Sequence, residues 1–229
     1  MNVQAVQRGR ALMRRDFFSF ASFVASLRGN GNKMSEATFL PVCKWLQGVA
    51  ERHATRAWFG DPRNHLKTTL QRAWVLWLAF LEPDERYDSP EEVVRARKFM
   101  AERPWLKGKQ TRIRWVGLNK PIACMQIEAI ERLIVEHPLM RVFLPEFHPD
   151  EFALSGRKEI WNTEEMALPC SASASSEVFL SAAGVESQST SLHFDVIVFD
   201  DPVNEKTHTH PNEIQTAINW LELATPLLE

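Results

Sequence analysis

The chain has 229 residues, of which 45% are hydrophobic and 24% charged, and its formal net charge is −2 at pH 7. This composition is enough for one α/β domain with a sizeable core, and it excludes a fibre or a disordered tail. The near-neutral net charge of the whole chain does not indicate nucleic-acid binding. Any DNA contact must therefore come from a local basic patch or from a ring of subunits.

Three cysteines, Cys43, Cys124 and Cys170, lie far apart and form no C-x-x-C pair. An odd number without that pairing predicts buried or free thiols in a reducing compartment. The longest apolar stretch, residues 73–81, is too short to span a bilayer, and the arginines near the N-terminus lack the apolar core of a signal peptide. We therefore expect a soluble, intracellular chain with no membrane partner.

The N-terminal third predicts helices. Apolar residues over 10–28 recur at the spacing of one amphipathic helix with an aromatic face. Such a face beside arginines can bind DNA, but it more often packs in a core or against another subunit. A Gly-Asn linker at 29–32 follows, and helical spacing resumes over 38–53, which predicts a helix packed on a sheet.

Residues 60–69, Gly-Asp-Pro-Arg-Asn-His-Leu-Lys-Thr-Thr, have several features of a phosphate-binding loop. Such a loop needs a turn of backbone N–H groups opening onto a helix, a lysine for the outer phosphates and a hydroxyl for Mg²⁺. Lys67 and Thr68 supply the last two. The strict G-x-x-x-x-G-K-[ST] pattern fails, because Asp61 and Leu66 stand where glycines should be. An ordinary helix start is therefore the alternative.

The elements around this stretch alternate between strands and helices. A strand is predicted over 55–59, and a helix over 68–81 that is apolar nearly all round and so must be buried. The polar segment 84–110 predicts a solvated helix. Residues 111–118 alternate like a strand, and Asn119 then opens a helix with a proline near its first turn.

Beyond residue 144 the composition becomes irregular before a further strand is predicted over 177–183. A polar turn over 186–191 should lead into the next strand. At the end of the chain, Pro211 begins a helix whose apolar positions fall on one face, namely Ile214, Ala217, Ile218 and Leu221.

Four consecutive apolar residues, 196–199, run into Asp200 and Asp201. Such a run suits a strand buried on both faces of a parallel sheet, whose C-terminal end is where these sheets bind ligands. One carboxylate can hold Mg²⁺, directly or through water, and its neighbour can polarise the attacking water. A turn of the Asp-Asp-Pro type after a buried strand is the alternative. Together with residues 60–69, this pattern predicts a nucleoside triphosphatase.

These segments resemble the large terminase subunits, the DNA-packaging motors of tailed bacteriophages. Residues 62–68 are similar to the family's deviant Walker A, in which an arginine follows a proline or small residue and the lysine comes four residues later. Residues 182–185 and 193–202 are similar to the approach to its Walker B and to the Asp-Asp-Pro form of that motif. The resemblance covers roughly residues 40–222.

The resemblance implies ATP and Mg²⁺ as cofactors and assigns residues to them. The implied nucleotide-binding residues are Pro62, Arg63, Asn64, His65, Leu66, Lys67, Thr68, Thr69 and Gln47. The implied metal-binding residues are Thr68 and Asp200, and the implied catalytic residues are Asp201, Arg63 and Glu205.

Two of these assignments, and a further one that the resemblance implies for Asn119, have alternatives. Gln47 would hold the adenine, or is a surface glutamine. Glu205 rivals Asp201 as the water-activating base, or is a solvated loop residue. Asn119 would be a polar residue near the nucleotide, or only the cap of its helix.

Three departures from the family pattern bear on catalysis. Leu66 stands where members usually have Gly or Ala, and Asp201 where many have Glu. Residues 189–193 lack the arginine that often reaches into a neighbouring subunit, which leaves only Arg157 as a guess for that role.

The predicted fold class is α/β: a P-loop NTPase-type, mainly parallel sheet sandwiched by helices and C-terminally incomplete. Residues 1–53 would form N-terminal helices leading into the adenine-side region, and 54–229 the ATPase core, with Walker A at 61–68 and Walker B at 196–201. Family members continue with further strands and a nuclease, so we expect an ATPase half without the nuclease domain.

The resemblance implies ATP hydrolysis that drives double-stranded DNA into a procapsid. The implied partners are the portal protein, the small terminase subunit and further copies in a homo-oligomeric ring, in the host cytoplasm at the procapsid. Two alternatives stay open: a nucleotide-binding assembly or docking module with little turnover, which the three departures favour, and a related P-loop DNA helicase or translocase.

Overall fold

The computed structural model of the chain describes residues 2–53, 66–155, 160–169, 178–185, 193–201 and 211–224. The helices are α1 (Val3–Arg15), α2 (Phe17–Leu27), α3 (Glu36–Glu51), α4 (Lys67–Phe80), α5 (Pro90–Ala101), α6 (Lys120–Glu136), α7 (Pro138–Phe143), α8 (Phe152–Ser155) and α9 (Pro211–Ala224). The strands are β1 (Ile113–Gly117), β2 (Glu165–Met166), β3 (Leu180–Gly184) and β4 (Val196–Phe199). The predicted strand over 55–59 and the predicted turn over 186–191 lie outside the described residues.

The chain divides into two compact units. The first unit comprises Met1–Lys109 and Leu133–His148, and the second comprises Gln110–Arg132 and Pro149–Glu229. The helices α1 to α3, before residue 53, belong to the same unit as α4. The predicted division after residue 53 stays a prediction.

Two helices replace the single amphipathic helix predicted over 10–28, so that prediction is wrong. Asp16 separates them in an extended conformation, with φ −130° and ψ 106°. Its carboxylate accepts a hydrogen bond from the Ser19 N–H at 2.9 Å and so caps the start of α2. Capping of this kind offsets the helical hydrogen bonds lost at the break.

The aromatic face of α2 lies in the core of the first unit. Phe17 and Phe20 are fully buried. Their rings lie 5.3 Å and 5.5 Å, centroid to centroid, from those of Trp77 and Phe80 on α4. Helix α4 is itself buried on nearly all sides, as its apolar sequence predicts. The packing reading of this aromatic face is therefore the one that the structure supports.

The segment 84–110 is only in part the solvated helix that its charges predict. Its central part, α5, is helical, and Glu91, Arg97 and Lys98 are exposed. Four other charged residues of the segment are less than 10% exposed, namely Asp84, Asp88, Glu92 and Lys109. Asp88 and Glu92 are buried against arginines of α1, which lie far away in sequence.

Arg10 is the centre of that buried network and is completely inaccessible to solvent. Its Nε lies 2.8 Å from Asp88 Oδ1, and its Nη2 lies 2.8 Å from Glu146 Oε1. Arg14 joins the network with Nη2 2.8 Å from Asp88 Oδ2. A buried charge needs such partners to offset its desolvation. These two arginines therefore hold the first unit together and are not available to DNA.

Within the described residues, the second unit contains a four-stranded sheet in the order β2-β3-β1-β4. Strand β1 is central and pairs in parallel with β3 and with β4, whereas β2 pairs antiparallel with β3 at one edge. Every residue of β1 and β3 is buried. The fold is thus α/β with a small, mainly parallel sheet, as the alternation of elements predicts.

Helix α9 begins at Pro211 as predicted. Of its predicted apolar positions, Ile214 and Ile218 are 37% and 43% exposed. Trp220 of this helix is buried and packs edge-on against Phe199 of β4, with ring centroids 5.4 Å apart. This aromatic contact helps to attach the helix to β4.

Candidate nucleotide-binding site

Leu66 begins α4 in a left-handed conformation, with φ 59° and ψ 16°. Its C=O accepts from the Leu70 N–H at 2.8 Å, which is the first hydrogen bond of the helix. Its side chain makes no capping hydrogen bond. Lys67 and Thr68 therefore fall in the first turn, followed by the buried Thr69.

The left-handed backbone of Leu66 is unusual for an L-residue with a branched side chain. Among the described residues, three non-glycines have positive φ: His53 at 52°, Leu66 at 59° and Asp201 at 47°. Asp is comparatively tolerant of this region, whereas a left-handed Leu costs about 1–2 kcal/mol. Two of the three border residues 54–65, and the third follows β4.

Asp200 and Asp201 leave the end of β4 in different surroundings. The Asp200 N–H donates to the Val116 C=O at 2.9 Å, which extends the β1–β4 pairing by one residue. Asp200 is only 5% exposed, while Asp201 is exposed and turns left-handed. The two adjacent carboxylates can therefore do different work, one inside the sheet edge and one facing solvent.

The ends of β1 and β3 lie at the same sheet edge as Asp200, because all three strands are parallel. Gly184, the last residue of β3, touches the backbone before α6. A Cβ at this position would lie 2.6 Å from Lys120 N and 2.8 Å from Asn119 Cα. A glycine is thus required for this close approach. Residues 182–185 carry part of the terminase resemblance, but the contact itself was not predicted.

Asn119 caps α6, which was one of its two predicted roles. Its Oδ1 accepts from the Ile122 N–H at 3.0 Å, and its C=O accepts from the Ala123 N–H at 3.3 Å. This is the geometry of a typical N-cap residue. A role near a nucleotide stays a prediction.

Gln47 ties three helices of the first unit together. Its Oε1 accepts from the Phe17 N–H at 3.0 Å, and its Nε2 donates to the Arg15 C=O at 3.0 Å and to Glu51 Oε1 at 2.7 Å. It is therefore no ordinary surface glutamine, since it joins the α1–α2 junction to α3. Adenine binding by this residue stays a prediction.

Several predicted site residues lie outside the described residues: Pro62, Arg63, Asn64, His65, Glu205 and the candidate trans-acting Arg157. Of the others, Leu66, Lys67, Thr68 and Thr69 are consecutive at the start of α4 in the first unit. Asp200 and Asp201 are consecutive at the sheet edge of the second unit.

Thr68 and Asp200 each offer oxygen atoms, the kind of ligand that Mg²⁺ prefers, but they belong to different units. Binding of Mg²⁺ by these two residues stays a prediction. In the described part of the chain, no three His, Cys, Asp or Glu side chains are grouped to hold a metal ion. Over the same residues, no helix has the length and apolarity to cross a membrane.

Any functional conclusion depends on the chemistry of these residues. The chain matches no protein-family model and no curated protein.

Proposed function

We propose that the chain is a Mg²⁺-dependent ATP hydrolase of the DNA-packaging motor type. In this proposal residues 62–69 hold the triphosphate, and Asp200 and Asp201 act on the metal and the attacking water. The observation that carries it is the left-handed backbone at Leu66 and at Asp201. Strained conformations of this kind persist where function requires them, and here they coincide with both predicted motifs.

Leu66 stands directly before Lys67, the lysine of the predicted phosphate loop. The sequence pattern asks for glycine at this position, and glycine is the residue that adopts positive φ at little cost. The leucine nevertheless takes that conformation. A left-handed residue directly before Lys67 supports a phosphate loop in which leucine replaces the usual glycine.

Lys67 and Thr68 then have the roles that their chemistry allows. A lysine ammonium in the first turn of a helix can reach the outer phosphates, which the helix N-terminus also attracts. The Thr68 hydroxyl can bind Mg²⁺. The buried body of α4 gives both residues a fixed base.

Asp200 and Asp201 have the two remaining roles in the proposed site, metal binding and activation of water. Asp200, buried at the end of a parallel strand, is suited to hold Mg²⁺ directly or through water. Asp201, exposed one residue later, is suited to orient and deprotonate the attacking water. Bound Mg²⁺ would neutralise charge on the phosphate oxygens.

The DNA-packaging assignment depends on the resemblance of the two motifs to terminases. This assignment implies that double-stranded DNA is the translocated substrate. It also implies that the partners are the portal protein, the small terminase subunit and a ring of identical subunits, at the procapsid in the host cytoplasm. The net charge of −2 neither supports nor opposes it.

A nucleotide-binding docking module with little turnover is the second candidate. Asp201 favours it, because this carboxylate is one methylene shorter than glutamate. A misplacement of about 1 Å in a reacting group can cost on the order of 100-fold in rate.

Calorimetry with a non-hydrolysable ATP analogue and Mg²⁺ tests nucleotide binding. Lys67→Ala should weaken binding by about 2–4 kcal/mol, roughly 30-fold to 1,000-fold, because it removes the cation at the outer phosphates. Lys44→Ala, which removes an exposed lysine of α3, is the matched control and should leave affinity unchanged. Equal affinities for wild type and Lys67→Ala would rule out the phosphate loop.

Hydrolysis with and without double-stranded DNA then separates the two candidates. DNA-stimulated turnover that Lys67→Ala abolishes supports the motor. Tight binding without turnover, in the presence of DNA and partner proteins, supports the docking module.

A further inference from the structure

His53 is a left-handed residue to which the proposed function assigns no role. Of the three described non-glycine residues with positive φ, the proposed site uses Leu66 and Asp201, and His53 is the third, with φ 52°. It is the last described residue before residues 54–65. The backbone at His53 therefore sets the direction in which the chain leaves α3 towards residues 62–65 of the proposed phosphate site.

The turn that ends α3 is of a kind that glycine usually completes. The Arg52 N–H donates to the Gly48 C=O at 3.1 Å, and the His53 N–H donates to the Ala50 C=O at 3.4 Å. The second distance is long for an N–H···O hydrogen bond. A left-handed residue with a side chain persists where the surrounding structure holds it. Contacts from elsewhere in the first unit therefore decide whether His53 keeps this conformation.

Trp105, between α5 and β1, supplies two such contacts. Its ring is stacked on the His53 imidazole, with ring centroids 5.1 Å apart and planes inclined by 11°. Its Nε1–H donates to the Ala50 C=O at 2.9 Å, the same carbonyl that the His53 N–H reaches. That oxygen has two lone pairs and can accept both bonds. One side chain therefore holds the last turn of α3 and also the residue beyond it.

The backbone on both sides of Trp105 is itself fixed. The Arg103 N–H donates to the Met100 C=O at 2.8 Å, and the Leu106 N–H donates to the Arg103 C=O at 2.9 Å. Leu106 is buried, and Trp105 is half-buried. Trp105 is thus a supported side chain on which the exposed imidazole of His53 rests.

We propose that Trp105 is a positioning residue for the nucleotide site and acts on it through His53. The inference rests on the proposed function. Trp105, His53 and Lys67 belong to the same unit. Binding a triphosphate has to order the chain that contacts it, and that ordering costs free energy. A start fixed at His53 lowers this cost, so loss of Trp105 weakens nucleotide binding although its side chain does not touch the nucleotide.

Calorimetry of the full chain with a non-hydrolysable ATP analogue and Mg²⁺ tests this inference. Trp105→Leu, which removes both contacts, should bind the analogue about tenfold more weakly than wild type. Trp105→Phe keeps a ring that can stack on His53 and should restore affinity to within about threefold of wild type. Thermal unfolding of each variant verifies that it is folded.

Trp74→Leu is the matched control. Trp74 is also half-buried, and its Nε1–H donates to the Leu46 C=O at 3.0 Å, one turn earlier in α3. This variant therefore loses the same kind of bond to the same helix but keeps the stacking of Trp105 on His53. It should bind the analogue as wild type does.

The proton resonances of the His53 imidazole report the stacking without any nucleotide. Their upfield ring-current shift should be present in wild type and Trp74→Leu and absent in Trp105→Leu. If wild type binds the analogue and Trp105→Leu binds it equally well, the inference is overturned while the proposed function stands. It is also overturned if Trp74→Leu loses as much affinity as Trp105→Leu, or if the His53 shift survives in Trp105→Leu. A wild type that binds no analogue overturns the proposed function together with this inference.

Discussion

Arg112 and Asp195 join the beginnings of β1 and β4 through both backbone and side chains. The Arg112 N–H donates to Asp195 Oδ2 at 2.7 Å, and its guanidinium donates to Oδ2 at 3.3 Å and to Oδ1 at 3.1 Å. The Asp195 N–H donates to the Arg112 C=O at 2.9 Å. Since Asp200 directly follows β4, this pair fixes the strand that presents the candidate carboxylates.

Asp195→Ala should lower the free energy of unfolding by about 3 kcal/mol, because it removes one partner of a largely buried ion pair. The two side chains are 13% and 6% exposed. Urea unfolding followed by tryptophan fluorescence measures the loss. Glu85→Ala, which removes a 67%-exposed partner of Arg97, should cost less than about 1 kcal/mol. Equal losses in the two variants would mean that the Arg112–Asp195 pair does not stabilise the sheet.

Gly184→Ala should destabilise the second unit by about 1–3 kcal/mol, as overpacking commonly does. The new Cβ would lie 2.6 Å from the backbone nitrogen of Lys120, which cannot rotate away. Gly117→Ala at the same sheet edge is a graded control, because its nearest contact would be 3.2 Å, to Ala123 N. Urea midpoints should fall in the order wild type, Gly117→Ala, Gly184→Ala. The reverse order would contradict the close approach at residue 184.

Asp84 should make stability depend on pH in the acid range. Burial by itself raises the pKa of Asp84, but hydrogen bonds from Arg86 and the charge of Lys109 outweigh it and hold that pKa at about 2, below the ordinary 3.8. A carboxyl with a depressed folded-state pKa stabilises the protein above about pH 4. That contribution, about 2 kcal/mol, is lost as the pH falls toward 2.

The measurement is urea unfolding of wild type and Asp84→Asn at pH 5 and at pH 2.5. The stability difference between the two proteins should shrink at the lower pH, because most of the contribution of the ionised carboxylate is lost between these two pH values. Glu85→Gln, at a neighbouring position whose side chain is 67% exposed, should cost less than about 1 kcal/mol. A constant gap between wild type and Asp84→Asn would contradict the assignment to Asp84.

Local patterns predicted the elements whose information lies within one segment. The helix expected over 38–53 is α3, and that expected over 68–81 is α4, because each repeats its apolar residues at helical spacing. Four apolar residues before Asp200 predicted β4 for a similar reason. These elements place Lys67 and Thr68 at the start of α4 and both aspartates directly after β4.

Interactions between distant segments were not predictable from the same patterns. Arg10 meets Asp88 and Glu146, which are 78 and 136 residues away in sequence. Composition therefore did not reveal that Asp88, in a segment predicted to be solvated, is buried against an arginine. The break at Asp16 was missed because the apolar residues Met13, Phe17 and Phe20 continue the helical spacing across it.

Substitutions of Leu66 test whether its left-handed backbone marks a phosphate loop. Leu66→Gly should be at least as stable as wild type and should bind the ATP analogue at least as tightly, because glycine adopts positive φ without the cost that leucine incurs. Leu66→Val should lose about 1–2 kcal/mol of stability, since a β-branched side chain is worse in this region. Gly29→Ala is the control that measures the cost of placing a side chain at positive φ. Its φ is 71° and its Cβ would meet nothing within 4 Å, so it reports the backbone cost alone.

A Leu66→Gly variant that loses both stability and nucleotide affinity would show that the leucine side chain is needed for packing. In that case its left-handed backbone would not mark a phosphate loop. Calorimetry and urea unfolding on the same preparations distinguish the two outcomes.

Asp201 decides between the motor and the docking module. Asp201→Asn should leave affinity for the ATP analogue nearly intact and abolish hydrolysis, because the amide cannot take the proton of the attacking water. Glu205→Gln, which alters the rival base, should change turnover little. Asp201→Glu should raise turnover, since it restores the methylene that positions the carboxylate. Steady-state phosphate release in the oligomeric protein, with DNA and partners present, measures all three. If Glu205→Gln is inactive while Asp201→Asn still turns over, the two roles are exchanged; if wild type itself releases no phosphate, the docking module is the better description.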